Sequence, residues 1–171
     1  MTTSHASGFS IRAARATDVR AIQALREPSE GKVLLHHDLV ALFEKVQEFL
    51  VVENAAGKVV AAGALHIMWE DLAEVRSIVV SSDVRGQGIG HLLVDALLAK
   101  AEGSGIKRVF CLTFEVGFFA KHGFEEISDV PVDEATFAEL VRSTDEGTAE
   151  FLDLARVKQN TLGNTRMLKR L

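Results

Sequence analysis

The chain has 171 residues, the length of one globular domain, and 47% of them are hydrophobic and 25% charged. Its 19 basic and 24 acidic side chains give a net charge of −5, which excludes the broad positive field that nucleic acid or an anionic membrane attracts. Cys111 is the only cysteine, so an intrachain disulfide and a zinc site built from cysteines are excluded.

No apolar stretch approaches the ~20 residues of a membrane-spanning helix. Residues 1–7 lack the basic start and apolar core of a secretory signal. We therefore expect a cytoplasmic protein with no membrane or nucleic-acid partner.

Apolar periodicity in the first half of the chain predicts a strand, two helices and an antiparallel meander. In chain order these are a loose tail over residues 1–8, a strand over 9–13, helices that begin near Asp18 and Asp38, and β-rich runs at 49–53, 58–68 and 73–80.

The second half alternates helices with strands. It predicts a helix from Gly88 to Gly103, a strand over 109–113, a short helix over 117–121, helices over 133–142 and 148–157, and a last strand over 165–171. This order predicts an α/β (α+β) fold, a mixed and mainly antiparallel sheet of six to seven strands with helices on both faces. No linker divides the chain, so residues 9–171 are expected to form a single domain.

A glycine-rich loop joins the strand that ends at Val80 to the helix that follows it. Backbone N–H groups at such a turn point into one concavity, and the helix dipole adds partial positive charge there. Side chains at Gly86, Gly88 or Gly90 would hold a ligand away from these amides. Arg85 adds a fixed positive charge, so the loop predicts a pyrophosphate site.

The spacing Arg-Gly-x-Gly-x-Gly after a hydrophobic strand resembles the acetyl-CoA-binding signature of the GCN5-related N-acetyltransferases (GNAT). The meander before the loop is similar to that family's first strands. Residues 118–124, Phe-Phe-Ala-Lys-His-Gly-Phe, resemble a later family element, and the resemblance covers nearly the whole chain. A dinucleotide fingerprint fits less well, because its glycines follow the first strand of a βαβ unit.

The resemblance implies that acetyl-CoA is the co-substrate and that no metal is used. Two groups of residues would bind the coenzyme, the loop for its pyrophosphate and the exposed backbone of the preceding strand for its pantetheine amides. The loop residues are Arg85, Gly86, Gln87, Gly88, Ile89 and Gly90, and the strand residues are Ile78, Val79 and Val80.

Glu74 and Arg76 fall on the same face of the strand over 73–80, because side chains alternate along a strand. One interpretation is an ion pair on a solvated sheet edge. The other is a general base beside a cation that receives a carboxylate substrate. An α-amine has a pKa of roughly 8, so it must lose a proton before it attacks a thioester. The resemblance favours the base, since many GNAT members carry a carboxylate at this position.

The chain contains no tyrosine, although the family's usual tyrosine protonates the departing thiolate. Phe119 stands at that position and cannot donate a proton. Thr113, at the end of the strand over 109–113, is the nearest hydroxyl candidate for a general acid. An ordinary threonine at a strand end is the other interpretation, and Cys111 is interpreted as a small core residue.

Further segments resemble the acetyltransferase domain of N-acetylglutamate synthases, among them Ala73-Glu74, residues 110–113 and residues 164–168. The long synthases carry a kinase-like domain before this one, and the chain is more similar to the short, stand-alone type. The resemblance implies acetyl transfer to the α-amine of L-glutamate, the first step of arginine biosynthesis. Since family members often pair, a homodimer is also expected.

Glutamate carries two carboxylates, and a pocket for it needs at least two cationic or amide anchors. The candidates are Lys32, Arg76, Lys158 and Arg166, with Arg26 as the alternative to Lys32. Each of them could instead be an ordinary surface cation.

Two other functions stay open at this stage. One is an acetyltransferase whose acceptor is a polyamine, an antibiotic, another amino acid or a protein N-terminus. The other is a non-catalytic module that senses acyl-CoA through a partner, which the missing tyrosine favours.

Overall fold

The computed structural model describes residues 3–4, 8–30, 32–34, 37–153 and 163–171. Its strands are β1 (Thr3–Ser4), β2 (Phe9–Ala13), β3 (Phe49–Asn54), β4 (Val59–Ile67), β5 (Leu72–Val80), β6 (Arg108–Thr113), β7 (Glu125–Glu126) and β8 (Thr165–Arg170). Its helices are α1 (Val19–Arg26), α2 (Leu39–Glu44), α3 (Ile89–Gly103), α4 (Val116–Ala120), α5 (Glu134–Leu140) and α6 (Glu146–Phe151).

The strands form one sheet in the order β1-β2-β3-β4-β5-β6-β8-β7. Among the neighbouring strands of the described residues, only β5 and β6 run parallel, so the predicted mixed and mainly antiparallel sheet is confirmed. The two-residue strands β1 and β7 raise the number of strands to eight, above the six to seven predicted. The structure also differs from the loose tail expected over residues 1–8, because Thr3 pairs with Ile11 of β2.

Helices cover both faces of this sheet, as predicted. On one face α1 and α2 contribute Val19, Ile22 and Leu42, which pack on Val51 and Val79. On the other face, α3 packs its Leu93, Leu97 and Ala101 against β3, β4 and β5. Burying each of the two leucine side chains contributes about 1.5–3 kcal/mol, so α3 is anchored firmly behind the glycine loop.

The helices α5 and α6 form a third cluster around the end of β6. Phe151 of α6 packs edge-on against Phe110 of β6, with ring centroids 4.6 Å apart. The predicted helix over 148–157 begins at Glu146 instead, because the Asp145 side chain accepts the Thr148 N–H and starts the helix earlier. The helix also ends earlier than predicted, at Phe151 with Leu152 as its cap, and the predicted end at residue 157 lies outside the described residues.

Candidate active site

The central opening of the sheet lies between β5 and β6. These strands pair only where Leu72–Glu74 lie beside Arg108–Phe110, and they separate beyond Glu74. In the described sheet, the edge of β5 that faces β6 is therefore unpaired along residues 75–80. An extended ligand with amide groups can pair with such an edge as an added strand does. The predicted pantetheine residues Ile78, Val79 and Val80 belong to this segment.

A bulge in β5 accounts for this separation. Ala62 pairs with Val79 and Ala64 with Arg76, so β5 has one residue more than β4 over this interval. Ser77 adopts a φ of 59°, which is rare for a residue with a side chain. Gly63 lies opposite, where an added Cβ would come within 2.5 Å of the Ile78 side chain. Because a bulge bends its strand and increases the local twist, β5 turns away from β6.

Two glycines shape the loop between β5 and α3. Gly86 has a φ of 82° and Gly88 a φ of 78°, conformations that other residues rarely adopt. A Cβ added at either position would meet nothing within 4 Å, so both glycines border open space. Gly90 differs, since a Cβ there would lie 3.4 Å from the Phe118 ring.

The loop presents a set of unused backbone donors. Within the described residues, the N–H groups of Gly86, Gly88 and residues 89–91 find no acceptor. The last three belong to the first turn of α3, whose N–H groups have no partner inside the helix. Arg85 and Gln87 are exposed beside them. The arrangement can hold an anion by hydrogen bonds and by the positive end of the helix dipole.

Glu74 lies at the point where β5 and β6 separate. The residue is only 4% exposed, and it pairs with Phe110 across the two strands. Burial raises the pKa of Glu74 to about 7, while the charge of Arg76 opposes this shift and the charge of Asp145 adds to it. A carboxyl group with such a pKa can accept and release a proton near neutral pH.

Arg76 is at the centre of a buried ion network next to Glu74. Its guanidinium donates to Asp145 at 2.8 Å and to Glu48 at 3.1 Å, and lies 3.4 Å from Glu74. Lys45 also binds Asp145, at 2.6 Å. Although burial opposes ionisation, the hydrogen bond and charge of Arg76 and the Lys45 hydrogen bond hold the pKa of Asp145 far below its usual range. His66 binds the remaining oxygen of Glu48 at 2.8 Å.

The solvated ion pair considered for Glu74 and Arg76 is therefore wrong. Both side chains do lie on one face of β5, but α6 packs on them at Gly147. A Cβ added at Gly147 would come within 2.8 Å of a Glu74 carboxylate oxygen and 2.7 Å of an Arg76 nitrogen. The helix thus shields the pair from most of the solvent, and Gly147 lets it approach so closely.

We expect Gly147→Ala to disturb this site. The added methyl group must displace the Glu74 or Arg76 side chain, although alanine favours a helix by about 1 kcal/mol over glycine. Turnover should fall at least tenfold, while coenzyme affinity is retained. Gly103→Ala is the matched control, since a Cβ there meets nothing within 4 Å. Equal turnover in the two variants would contradict the close packing of α6 on the pair.

The other predicted site residues are dispersed. Lys32 is exposed and donates only a long, 3.4 Å bond to the Pro28 carbonyl. Arg166 donates to the carbonyls of Phe151 and Glu150 at the end of α6, at 3.0 and 2.9 Å. Lys158 lies outside the described residues.

Thr113 lies three residues beyond Phe110 on β6, away from the paired part of the two strands. It is buried, and its hydroxyl oxygen accepts the Glu115 N–H at 2.8 Å. Its hydroxyl hydrogen stays available for donation. Cys111 is fully buried, as expected of a core residue, and burial raises the pKa of its thiol.

Several residues of the site carried no recognisable signal in the sequence. Asp145, Glu48 and His66 surround Arg76 from three separate segments. Ser77 forms the bulge, and its hydroxyl contacts the fully buried guanidinium of Arg26. Only contacts between distant segments reveal these residues, although the helix start at Asp145 could have been found as an Asp-x-x-Thr cap.

In the described part of the chain, no group of His, Cys, Asp and Glu side chains is arranged to hold a metal ion. The helices of that part include none long and apolar enough to cross a membrane.

Comparison with known proteins agrees with this geometry. The profile of the Acetyltransferase (GNAT) family matches residues 18–124. An amino-acid acetyltransferase of Mycobacterium tuberculosis is 52% identical over 160 residues, which cover 92% of each chain. A crystal structure from M. tuberculosis in complex with CoA and NLQ has a TM-score of 0.91, covering 94% of this chain and 98% of that one.

A more distant likeness extends to the longer synthases. N-acetylglutamate synthase from Neisseria gonorrhoeae, complexed with coenzyme A and N-acetyl-glutamate, is 26% identical with a TM-score of 0.74. The match covers 95% of this chain and 35% of that protein. The unpaired edge of β5, the donors of the glycine loop and these similarities lead to one conclusion. The chain belongs to the acetyltransferase (GNAT) family, and it is an acyltransferase that uses acetyl-CoA.

Proposed function

We propose that this protein is an amino-acid N-acetyltransferase that acetylates the α-amine of L-glutamate, as an N-acetylglutamate synthase of arginine biosynthesis does. The observation that carries the proposal is the buried carboxyl group of Glu74, located where β5 and β6 separate. The M. tuberculosis relative, an amino-acid acetyltransferase, and the Neisseria synthase with bound N-acetyl-glutamate support the choice of acceptor.

In the proposed mechanism, the coenzyme lies along β5 with its pyrophosphate at the glycine loop. Glu74 takes a proton from the acceptor's ammonium group, and the amine then attacks the thioester carbonyl carbon. The C–N bond forms, the C–S bond breaks, and the second proton lost by the nitrogen passes to the departing sulfur, so that the amide and a free thiol are released and Glu74 returns its proton to solvent. A base of pKa about 7 accepts a proton from an amine of pKa roughly 8 with little loss of driving force.

The role of Thr113 as a general acid is part of this proposal. Its hydroxyl is held by the Glu115 N–H, with its own hydrogen free to donate toward the departing sulfur. A thiolate leaves readily near neutral pH, so this donation would assist the reaction without being essential.

The cations proposed to bind the acceptor carboxylates differ in the existing hydrogen bonds that they must first break. Arg76 can bind a substrate carboxylate only by releasing Glu48 or Asp145, and Arg166 only by releasing the end of α6. Lys32 is exposed and needs to release only its long bond to a carbonyl. We therefore place Lys32 first among the anchors in the described part of the chain, followed by Arg76 and Arg166. Lys158, outside the described residues, completes the proposed set.

A panel of acceptors tests the substrate directly. The purified protein is mixed with acetyl-CoA and with L-glutamate, L-glutamine, L-aspartate, a polyamine or a short peptide, and released thiol and acetylated product are measured. We expect the largest kcat/KM with L-glutamate. Turnover of another acceptor but not of L-glutamate would contradict this substrate. Coenzyme binding without thiol release for any amine would support a sensing module instead.

A further inference from the structure

A hydrogen-bonded chain of side chains lies beside the glycine loop, outside the site already described. Asp95 of α3 binds Nδ1 of His122 at 2.9 Å. The other ring nitrogen of His122, Nε2, binds Nδ1 of His91 at 2.8 Å. The His122 side chain is only 6% exposed, whereas Asp95 is 68% exposed. A buried imidazole thus connects a carboxylate at the surface to a second imidazole.

The free end of this chain is close to the donors of the loop. His91 is the third residue of α3, and a helical side chain covers the turn before its own position. Its ring packs on Phe118 with centroids 4.6 Å apart, and Phe118 in turn borders Gly90. In the described part of the chain, Nε2 of His91 has no protein partner. The ring therefore lies at the edge of the anion site that α3 and the loop form.

The chain has a defined direction because a carboxylate can only accept. Nδ1 of His122 must carry the hydrogen that Asp95 accepts, so Nε2 of a neutral His122 is an acceptor. Nδ1 of His91 then donates to it, which leaves Nε2 of His91 without a hydrogen. A proton added to the chain has its natural position at this nitrogen, with the negative charge of Asp95 at the opposite end to stabilise it.

The other charged groups on the surrounding elements do not join the chain. Arg85 in the loop, Glu115 before α4, Lys121 after it and Lys169 of β8, whose Nζ lies near Gly123, form no hydrogen bond or ion pair with His91 or His122 in the described structure. Among the described residues Asp95 is thus the charged partner, and an anion at the loop would be the second.

We propose that binding of the coenzyme's diphosphate is coupled to uptake of a proton by the His91–His122–Asp95 chain. Nε2 of His91, once protonated, donates a hydrogen bond to a phosphate oxygen. A charge-assisted bond of this kind strengthens binding by about tenfold or more. Because the protonated form binds better, coenzyme affinity should weaken as the pH rises.

Calorimetry of coenzyme A binding to the full chain measures this uptake. The titration is run at neutral pH in buffers of different ionisation enthalpy, which gives the number of protons taken up. His91→Asn keeps a donor toward His122 but cannot accept the proton. We expect it to reduce the uptake by up to one proton and to weaken binding about tenfold. Equal proton uptake in the wild type and in His91→Asn would overturn the proposal.

Two further variants separate the coupling from a structural effect. Asp95→Asn keeps an acceptor for His122 but removes the stabilising charge, so proton uptake should decrease. Glu102→Gln, an exposed carboxylate two turns further along α3, is the matched control and should leave the uptake unchanged. The same loss of uptake in both variants would also contradict the proposal, because it would indicate a general charge effect.

Dephospho-coenzyme A, which lacks the 3′-phosphate but keeps the diphosphate, shows which phosphate His91 binds. Retained uptake with this probe supports the diphosphate, and its loss would assign the contact to the 3′-phosphate and overturn our placement. If coenzyme A binds tightly without any proton uptake, the chain has no part in binding even though the acetyltransferase assignment holds. If it does not bind at all, both conclusions fail together.

Discussion

Glu74→Gln should lower kcat/KM for the acceptor by two to three orders of magnitude at neutral pH, the usual contribution of a general base being about 10²–10⁴. The wild-type rate should rise with pH up to about 7, because Glu74 must be ionised to accept a proton and burial raises its pKa to about 7. In the variant, this rise of the rate between acidic pH and pH about 7 should be absent. Its rate should instead recover partly toward pH about 9, as the α-amine, with a pKa of roughly 8, loses its proton to solvent.

Stability measurements show whether such a loss has a chemical origin. Folding raises the pKa of Glu74 from its ordinary 4.5 to about 7, so the folded state binds the proton more tightly. The carboxylate therefore lowers stability as the pH rises from about 4.5 to about 7. Glu74→Gln removes this penalty and should be at least as stable as the wild type at pH about 8.

Glu150→Gln is the matched control for Glu74→Gln. Glu150 is a half-buried carboxyl group whose charge adds to the raised pKa of Glu74, and it is hydrogen-bonded to Asn164 at 3.2 Å. Replacing Glu150 should leave the maximal rate unchanged. The pH at which the rate rises should move to a lower value, because the pKa of Glu74 falls. A wild-type rate with an unchanged pH profile in Glu74→Gln would remove Glu74 from the role of base.

Asp145→Ala should have the largest effect on stability. Asp145 holds Arg76 and Lys45 and accepts the Thr148 N–H at the start of α6. Removing one partner of a buried ion pair costs about 3–5 kcal/mol, because the remaining charge stays buried. Chemical denaturation should therefore show a reduced free energy of unfolding. In the folded fraction, activity should begin to rise at a lower pH than in the wild type, since the charge of Asp145 raises the pKa of Glu74.

Asp133→Ala provides the comparison for Asp145→Ala. Asp133 starts α5 in the same way, with its side chain accepting the Thr136 N–H at 2.8 Å, but it has no cationic partner in the described structure. Asp133→Ala removes only a helix cap, so it should lower the free energy of unfolding several times less than Asp145→Ala does. Equal destabilisation by the two variants would show that the ion network contributes little.

Much of the architecture could be predicted from the sequence because its elements are long and periodic. The strands β3, β4 and β5 and the helix α3 begin and end within one or two residues of the predicted bounds. The strands β1 and β7 have two residues each, too few for any periodicity, and long-range pairing alone creates them. The start of α6 was missed because the capping side chain of Asp145 outweighs the weak helical pattern after it.

Only those parts of the site that lie within a single segment of the chain could be predicted from the sequence. The glycine loop is local, so the conformation of its glycines and the unused backbone donors beside them follow from spacing, whereas their role in anion binding stays a prediction. The neighbours of Arg76 come from β4, α6 and the turn before β3, and no spacing relates them. Burial of Glu74, which gives the carboxyl group its chemical use, depends on α6 covering it at Gly147. The pairing of His91 with His122 could not be predicted either, because it joins two segments that are far apart in the sequence.

The most direct test of the proposed chemistry is a titration of the Glu74 carboxyl carbon by ¹³C NMR in protein labelled at glutamate, with Glu74→Gln used to assign the signal. We predict a chemical-shift transition near pH 7, because the carboxyl group lies beneath α6 out of contact with water. A transition near the ordinary value of 4.5 would contradict the account, since Glu74 would then be too weak a base to take a proton from the acceptor.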